Sequence, residues 1–340
     1  MWGNINIFGK IIFILNLILG IILFFTYLLP FIPPRFSPIS FLSIFTPILL
    51  IINILFVVLW LFMKKKNVLF SAVIMLIGLP FIHRFFQWGG NDKIIDNQIS
   101  IMTFNVRIFN HYNWSTDKKI REKIINFIKE KHPKIIAIQE FYKKEVNSFD
   151  FYKHKRIIYK KNSDKIGQAI FSDYPIISSG SLNFPETGNN GVFADIVIKK
   201  DTIRLYSVHF ESLHLEEDQF SDIQTKRFFT NISSRFSRQQ EQVEILEKNF
   251  KDCPYKKIVC GDFNNTAFSY LYQKISSNNL IDSFQECGSG FGKTYDFNYF
   301  PFRIDYIFID KSFPITSHKS FSEIRYSDHY PVMASFEINE

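Results

Sequence analysis

Cysteine is scarce in this 340-residue chain, which contains three, Cys253, Cys260 and Cys287. Their spacing matches neither a paired metal site nor a disulfide framework, and Cys260 lies in an apolar run typical of a small core residue. The chain also lacks a Ser-His-Asp arrangement and a nucleotide-binding glycine loop. These absences leave no pattern that favours a cysteine or serine nucleophile.

Polar residues are few before residue 90, and this imbalance divides the chain. Hydrophobic residues make up 46% of the sequence and Phe alone numbers 40, with the excess in the first part. The formal net charge of +8 would suit nucleic acid or anionic lipid, but Lys64, Lys65 and Lys66 flank an apolar run and inflate it. We therefore predict a membrane segment joined to a soluble domain and give the net charge little weight.

Three apolar segments predict a membrane anchor over residues 1–88, with transmembrane helices at about 11–29, 39–63 and 67–83. The first is long enough to cross a hydrocarbon core of roughly 30 Å. A cleaved signal peptide is the alternative, but no small-residue cleavage site precedes the turn from Pro30 to Pro38. The third segment is shorter, about 24 Å at helical rise, and either spans the membrane or lies in its interface.

The lysine triplet Lys64-Lys65-Lys66 decides the predicted orientation. Because short positive loops stay in the cytoplasm, three crossings place the amino terminus inside and everything after Arg84 outside. Two crossings would place the soluble part in the cytoplasm. We expect three, which makes the chain an integral plasma or inner membrane protein with an extracytoplasmic domain after a polar linker at 89–98.

Strand and helix patterns from residue 99 onward predict one α/β domain, 99–340. An alternating strand at Ile99 to Phe104 precedes a helix at Lys118 to Lys131 and a buried strand at Ile135 to Ile138. This strand leads into Glu140. A hairpin is predicted around the turn Lys199-Lys200-Asp201.

The most informative stretch is Lys257 to Asn265, an apolar run that stops in a carboxylate and two carboxamides. Ile258 and Val259 suit a strand covered on both faces, and Asp262 and Asn264 would lie on the same side of an extended chain. The alternative is a turn in which Asp and Asn cap their own backbone. This motif alone does not decide between the two.

Six short motifs together resemble one superfamily. In chain order they are Thr103-Phe104-Asn105-Val106-Arg107, Ile138-Gln139-Glu140, Ser207-Val208-His209, Gly261-Asp262-Phe263-Asn264, Arg303-Ile304-Asp305-Tyr306 and Ser327-Asp328-His329. The chain resembles the endonuclease/exonuclease/phosphatase superfamily, which includes deoxyribonucleases, sphingomyelinases and inositol-polyphosphate phosphatases. The resemblance implies a four-layer α/β sandwich, two mixed β-sheets flanked by helices, and a metal-dependent phosphoester hydrolase of unspecified substrate.

The resemblance implies metal ligands and phosphate contacts. Asn105, Glu140 and Asp328 match the metal site, and carboxylate oxygens suit Mg²⁺ or Mn²⁺. Arg107, two residues past Asn105 and on the same strand face, could reach a phosphate, although a surface salt bridge is the alternative. Thr294 is a weaker candidate for a phosphate hydrogen bond.

The catalytic residues that the resemblance implies are His209, Asp262, Asn264, Asp305 and His329. Asp262 and Asn264 match the pair that orients or deprotonates the attacking water, and the uncharged amide of Asn264 can also hold a phosphate oxygen. His329 matches the histidine at the scissile phosphate, with Asp305 orienting its imidazole. His209 stands where abasic-site enzymes typically carry a tyrosine, which favours other substrates.

We therefore predict a membrane-anchored phosphoester hydrolase whose partners are the bilayer and a lipid head group, a nucleotide or nucleic acid. Tethering near a bilayer favours a small or membrane-presented phosphoester over chromosomal DNA. No obligate protein partner is evident from the sequence. The alternatives are an extracytoplasmic nuclease and a catalytically silent membrane module that binds anionic ligands; such a module would be expected to have lost part of the six motifs.

Overall fold

The computed structural model describes residues 6–90, 98–160, 163–213, 225–297 and 300–338. The helices in these ranges are α1 (Ile7–Thr26), α2 (Thr46–Phe62), α3 (Val68–Ile77), α4 (Leu79–Phe85), α5 (Ile120–Lys131), α6 (Thr225–Lys251), α7 (Tyr270–Ser276) and α8 (Ser283–Cys287). The strands are β1 (Ile99–Asn105), β2 (Ile135–Tyr142), β3 (His154–Tyr159), β4 (Ile166–Ser172), β5 (Ile176–Ser181), β6 (Gly191–Ile198), β7 (Asp201–His209), β8 (Lys256–Asp262), β9 (Leu280–Asp282), β10 (Asp305–Asp310), β11 (Ile315–Ser320) and β12 (Val332–Phe336).

Two mixed sheets of six strands each build the soluble domain. The first sheet has the order β11-β12-β1-β2-β4-β3, and the second has the order β5-β6-β7-β8-β10-β9. β1 runs parallel to β2, and β7 to β8, while β12 and β10 run antiparallel beside β1 and β8. Because an antiparallel strand begins where its neighbour ends, the ends of β1, β2, β7 and β8 lie beside the starts of β10 and β12. We call this the polar edge.

The main core lies between the two sheets. Ile101 of the first sheet belongs to the same buried cluster as Ile258 and Ile307 of the second. The outer face of the first sheet is covered by α5 through Ile124, and that of the second by α6 and α7 through Leu246. The order helix, sheet, sheet, helix confirms the predicted four-layer α/β sandwich.

The anchor departs from the predicted pattern in its third helix. Two helical segments, Ile7–Phe31 and Ser40–Phe62, are long and apolar enough to cross a membrane. The prediction of one helix over 67–83 is wrong, because α3 and α4 meet at an angle of 73° and form at most one broken span. Pro80, the second residue of α4, cannot donate the N–H that would continue α3.

Gly78, at the break between α3 and α4, is a contact point with α1. A Cβ at this position would lie 2.2 Å from the hydroxyl of Tyr27. The bend therefore forms where the chain must pass closely over the end of α1. Residues 91–97, which make up most of the predicted linker, lie outside the described residues.

A buried polar cluster joins the first three helices of the anchor. Asn16 on α1 is fully buried, and its Nδ2 donates to Oγ of Ser71 on α3 at 2.7 Å. Its Oδ1 accepts from Nε1 of Trp60 on α2 at 2.9 Å. One side chain thus links three helices in surroundings where water cannot replace its hydrogen bonds.

The anchor packs directly on the soluble domain beside the polar edge. Phe268, six residues after Asp262, is 1% exposed and lies in a cluster with Leu23, Leu50 and Phe81 of the anchor. We call residues 264–269 the docking loop. Its burial by anchor side chains shows that the two parts of the chain form one unit.

Hydrogen bonds reinforce this packing. The hydroxyl of Thr266 in the docking loop donates to the carbonyl of Ser43 at 3.3 Å. Arg84 of α4 donates to Oε1 of Gln273 at 2.7 Å, and its carbonyl accepts from Arg303 at 2.8 Å. Arg303 lies two residues before Asp305, and Thr266 lies four residues after Asp262. The anchor therefore contacts both chain segments that adjoin these aspartates at the polar edge.

Candidate active site

β8 carries the apolar run to the polar edge, where it ends in Gly261 and Asp262. Gly261 has a φ of 138°, and a Cβ there would lie 1.9 Å from the carbonyl oxygen of Val208 on β7. Glycine is required because no side chain fits between the two strands. This close approach pairs His209, the last residue of β7, with Asp262.

Asp262 lies at the centre of the candidate site and is 1% exposed. Its Oδ2 accepts from Nδ2 of Asn105 at 3.2 Å and lies 3.3 Å from Nε2 of His209 and 3.6 Å from Nε2 of His329. Burial raises the pKa of the Asp262 carboxyl, and the charge of His329 opposes that shift. The carboxylate is therefore a stronger base than an exposed aspartate.

Asn264 does not lie on an extended chain, so the extended backbone expected from Asp262 to Asn264 is wrong, although the two side chains do meet. Asn264 has a φ of 49°, and its backbone N–H donates to Oδ1 of Asp262 at 2.8 Å. This is the self-capping turn that was the alternative. The turn keeps the two side chains together, with Nδ2 of Asn264 at 3.3 Å from Oδ2 of Asp262.

Asp305 faces Asp262 because β10 begins at this residue and runs antiparallel to β8. The antiparallel register pairs Asp305 with Asp262. Nδ1 of His329 lies 2.9 Å from Oδ2 of Asp305, and both side chains are buried. Burial lowers the pKa of His329, but the charges of Asp305 and Asp262 outweigh it and raise the pKa well above the usual value. His329 is therefore an imidazolium at neutral pH.

His209 approaches Asp262 from β7 and is 5% exposed. Burial lowers its pKa well below the usual value, and the charges of Lys160 and His329 lower it further. The imidazole is neutral near pH 7 and can donate one hydrogen bond to Asp262 through Nε2. The site thus contains one charged and one neutral histidine.

Asn105 ends β1 as expected, but Arg107 takes a different position from the one expected. Asn105 ends β1 and lies beside Asp262, but Arg107 is not on the strand, because it has a φ of 43° and begins a 3-10 turn. Its guanidinium forms an ion pair with Asp328 at 3.3 Å and lies over the ring of Trp114. Its backbone N–H donates to Oδ1 of Asn105 at 3.1 Å, which fixes the orientation of that amide.

Glu140 lies in an irregularity of β2 at the polar edge. The register between β2 and β4 shifts between Ile138 and Phe141, and Glu140 has a φ of 53°. Such a bulge turns a side chain away from the regular alternation of the strand. Burial raises the pKa of Glu140, while the charge of Lys160 lowers it and that of Asp328 raises it.

Thr294 lies beneath the site and not at its surface. It is fully buried, and its hydroxyl accepts the backbone N–H groups of Ile304 at 2.9 Å and Asp305 at 3.0 Å. These bonds hold the start of β10. The structure therefore connects Thr294 to the placement of Asp305, and its burial argues against the phosphate contact expected from the sequence.

Comparisons with known proteins agree with this geometry. Residues 102–329 match the model described as the Endonuclease/Exonuclease/phosphatase family. The chain belongs to this family. Residues 9–85 match a second model, described as a domain of unknown function, DUF8431. No curated protein matches the chain.

Solved structures show the same fold. A family member from Bacteroides vulgatus is 19% identical with a TM-score of 0.55, covering 72% of this chain and 100% of its own. A mannosyl-6-phosphatase from Bacteroides thetaiotaomicron is 16% identical with a TM-score of 0.53, covering 71% of this chain and 100% of its own. The human Nocturnin catalytic domain with bound sulfate is 17% identical with a TM-score of 0.51, covering 71% of this chain and 93% of its own. At these identities the likeness is one of fold.

Members of this family usually use divalent metals, and the polar edge offers two sets of ligands. Ligand atoms of Asp262, Asp305 and His329 lie within 4.8 Å of one another. However, both ring nitrogens of His329 already face carboxylates, Asp305 at Nδ1 and Asp262 at Nε2. Glu140 and Asp328 provide hard oxygens whose like charges oppose each other, which a divalent cation would relieve.

Sequence reasoning missed a buried polar ladder between the two sheets, directly below the site. Gln139 donates to Oγ1 of Thr103 and to Oγ of Ser207, each at 3.1 Å, and Ser207 donates to Oε1 of Gln168 at 2.9 Å. All four side chains are buried. Polar residues inside otherwise apolar strands were the available signal, because such groups need partners when buried.

Proposed function

We propose that the chain is a membrane-anchored, divalent-metal-dependent phosphoester hydrolase with water as its nucleophile. The observation that carries this proposal is the convergence of Asp262 with the hydrogen-bonded pair His329 and Asp305 at one buried edge. Family members are hydrolases that act on phosphoester bonds. The arrangement places a base for water beside a cation for the phosphate, which are the two groups that such hydrolysis requires.

Asp262 is the proposed general base. The hydrogen bonds from Asn105 and Asn264 orient its oxygens, and its raised pKa increases its affinity for a proton. As the water oxygen bonds to phosphorus, its proton passes to the carboxylate. The bond from phosphorus to the ester oxygen breaks, and the leaving group departs with the electron pair.

The two histidines are the proposed phosphate contacts. His329, charged and held at Nδ1 by Asp305, donates through Nε2 to a phosphate oxygen and balances the charge that develops there. His209 is neutral, and its single N–H, which faces Asp262 through Nε2 at 3.3 Å here, would be shared with a bound phosphate oxygen without adding charge. The amide of Asn264 can bind a phosphate oxygen without repelling it.

Asn105, Glu140 and Asp328 are the proposed ligands of Mg²⁺ or Mn²⁺. The bound cation neutralises phosphate charge, which is the chemistry that it supplies. Arg107, paired with Asp328 at 3.3 Å and 41% exposed, is placed to contact a phosphate at the rim of the site. We assign Thr294 a positioning role: its hydroxyl holds the backbone of Asp305, and it does not contact the phosphate.

We further propose that residues 1–88 anchor the protein with the catalytic domain, 99–340, outside the cytoplasm. The orientation of the helices supports this. The start of α2 lies next to Ser43, which contacts the docking loop, whereas Lys64, Lys65 and Lys66 follow its other end, about 25 Å away at helical rise. The lysines and the catalytic domain therefore lie at opposite ends of the anchor.

The test uses the full-length protein in detergent, with Mg²⁺ or Mn²⁺, against DNA, RNA, phospholipids and chromogenic phosphodiesters. We expect at least one of these compounds to be hydrolysed when Mg²⁺ or Mn²⁺ is present and to stay intact when a chelator removes the metal. Asp262→Asn should lower kcat by at least about 10²-fold, the usual scale for a positioned base. Asp310→Asn, at the far end of β10, is the control and should retain activity. A folded Asp262→Asn protein with full activity would contradict the proposal.

A further inference from the structure

The anchor contacts lie very close to the catalytic residues along the chain. Thr266, which bonds Ser43, is four residues from Asp262, a separation of about 14 Å at most for an extended chain. Arg303, which bonds the carbonyl of Arg84, is two residues from Asp305, or about 7 Å at most. The catalytic carboxylates are therefore held near the end of the membrane helices.

A third segment makes the same connection. Phe291 and Phe300 pack on Phe85 of the anchor, with ring centroids 5.0 and 6.3 Å away. Between them in sequence, Tyr295 forms a backbone bridge with His329 and places its ring 5.0 Å from the imidazole. The anchor and the polar edge thus occupy the same end of the sandwich.

Exposed apolar side chains lie at the helix ends and connections of the anchor that adjoin the domain. They are Phe31, Phe36, Phe45, Leu79 and Trp88, and their exposure ranges from 40% to 90%. Side chains of this kind at the ends of apolar helices lie at the membrane interface. The headgroup region on each side of the hydrocarbon core is about 5 to 8 Å thick, so a lipid phosphate lies within reach of the polar edge.

We infer that the substrate is an amphiphile that stays in the bilayer and presents its phosphoester to the polar edge. This inference rests on the proposed function and adds the substrate class. An anchor that holds the active site next to the bilayer surface would not increase the encounter rate with a soluble phosphoester. For an amphiphile, the same anchor makes the encounter two-dimensional and raises the local concentration of the phosphoester.

The test compares two diesters with the same nitrophenolate leaving group, ethyl p-nitrophenyl phosphate and hexadecyl p-nitrophenyl phosphate. Full-length protein in lipid nanodiscs with Mg²⁺ or Mn²⁺ should hydrolyse the hexadecyl ester with a kcat/KM at least about 10-fold higher. Hydrolysis of the ethyl ester or of DNA with the hexadecyl ester inert would overturn the inference and leave the proposed function standing. If neither diester nor any other phosphoester is hydrolysed, the proposed function fails as well.

A matched pair of variants tests the role of docking. Phe268→Ala loosens the contact with the anchor, whereas Phe313→Ala removes a buried ring of similar exposure, 3%, that follows the far end of β10. We expect the hexadecyl to ethyl ratio of kcat/KM to fall at least about 3-fold in Phe268→Ala and to stay constant in Phe313→Ala. An unchanged ratio in both variants would contradict presentation by a docked anchor.

Discussion

His209 and His329 approach the same oxygen of Asp262, at 3.3 and 3.6 Å, yet their pKa values shift in opposite directions. Both rings are buried, which favours the neutral form. His329 has a second carboxylate, Asp305, at its other nitrogen, and the two negative charges together outweigh burial. Which histidine is charged is thus decided mainly by one additional aspartate, Asp305, which the family resemblance had already paired with His329.

His318, which lies outside the candidate site, tests how burial changes the pKa of a histidine. Its Nδ1 lies 2.8 Å from Oγ of Ser283, and burial lowers its pKa to about 4. Between pH 6.5 and 4 the unfolded chain takes up a proton that the folded chain does not, so stability is present above this range and is lost as the pH falls. The expected loss from this residue is about 3 kcal/mol at pH 4.

The measurement is the free energy of unfolding by denaturant, at intervals from pH 7 to pH 4, for the wild type and His318→Asn. Because other groups titrate in the same range, the difference between the two curves isolates His318. The wild type should lose stability more steeply than the variant. Parallel curves would show that His318 titrates normally.

At the scale of elements, Gly261 determines how β7 and β8 meet. In Gly261→Ala, the new Cβ would clash with the backbone of Val208 and a φ of 138° would be strained. We expect a loss of at least about 3 kcal/mol, or roughly 6 °C or more in Tm. Gly89→Ala, where no atom lies within 4 Å, is the control and should leave Tm unchanged. A Tm equal to wild type in Gly261→Ala would contradict this account of the strand pair.

Asn16 should contribute more to the anchor than another buried asparagine, Asn53. Asn16 bonds Trp60 and Ser71 on two other helices, whereas Asn53 donates to the carbonyl of Leu49 in its own helix. Asn16→Leu should lower stability in a detergent unfolding titration by about 1 to 2 kcal/mol, and Asn53→Leu by less. Equal losses would show that the interhelical bonds add nothing.

Elements that depend on local pattern were predictable, and those that depend on tertiary contacts were not. The apolar alternation of β1 and the helical spacing of α5 gave both elements nearly their full length. The break between α3 and α4 has a local signal in Pro80, but the close approach of Gly78 to Tyr27 depends on tertiary packing, and so does the start of β10 at Asp305, which pairs with β8. The sequence could bring Asp262 and Asn264 together as a motif, but the turn between them is set by a hydrogen bond.

At the scale of the whole molecule, orientation in the membrane is the main prediction. The three cysteines, Cys253, Cys260 and Cys287, are buried, so an introduced thiol can be labelled selectively. In spheroplasts, a membrane-impermeant maleimide should label Lys200→Cys and spare Lys66→Cys, because both positions are exposed and the proposed topology puts them on opposite sides of the membrane. Permeabilised cells, in which both variants should react, are the control. Labelling of Lys66→Cys alone in spheroplasts would place the catalytic domain in the cytoplasm.

The burial of Phe268 among anchor side chains has a consequence for biosynthesis. The ribosome releases the anchor first, so the first helices reach the bilayer before the docking loop has been translated. With the proposed anchoring, the turn after β8 would close on helices that are already inserted, and the proposed catalytic geometry would be completed at the membrane. A chain that fails to insert has no partner for Phe268 and leaves an aromatic side chain exposed to chaperones and proteases. Under the proposed anchoring, Phe268 would thus be one of the contacts that link membrane insertion to folding of the catalytic domain.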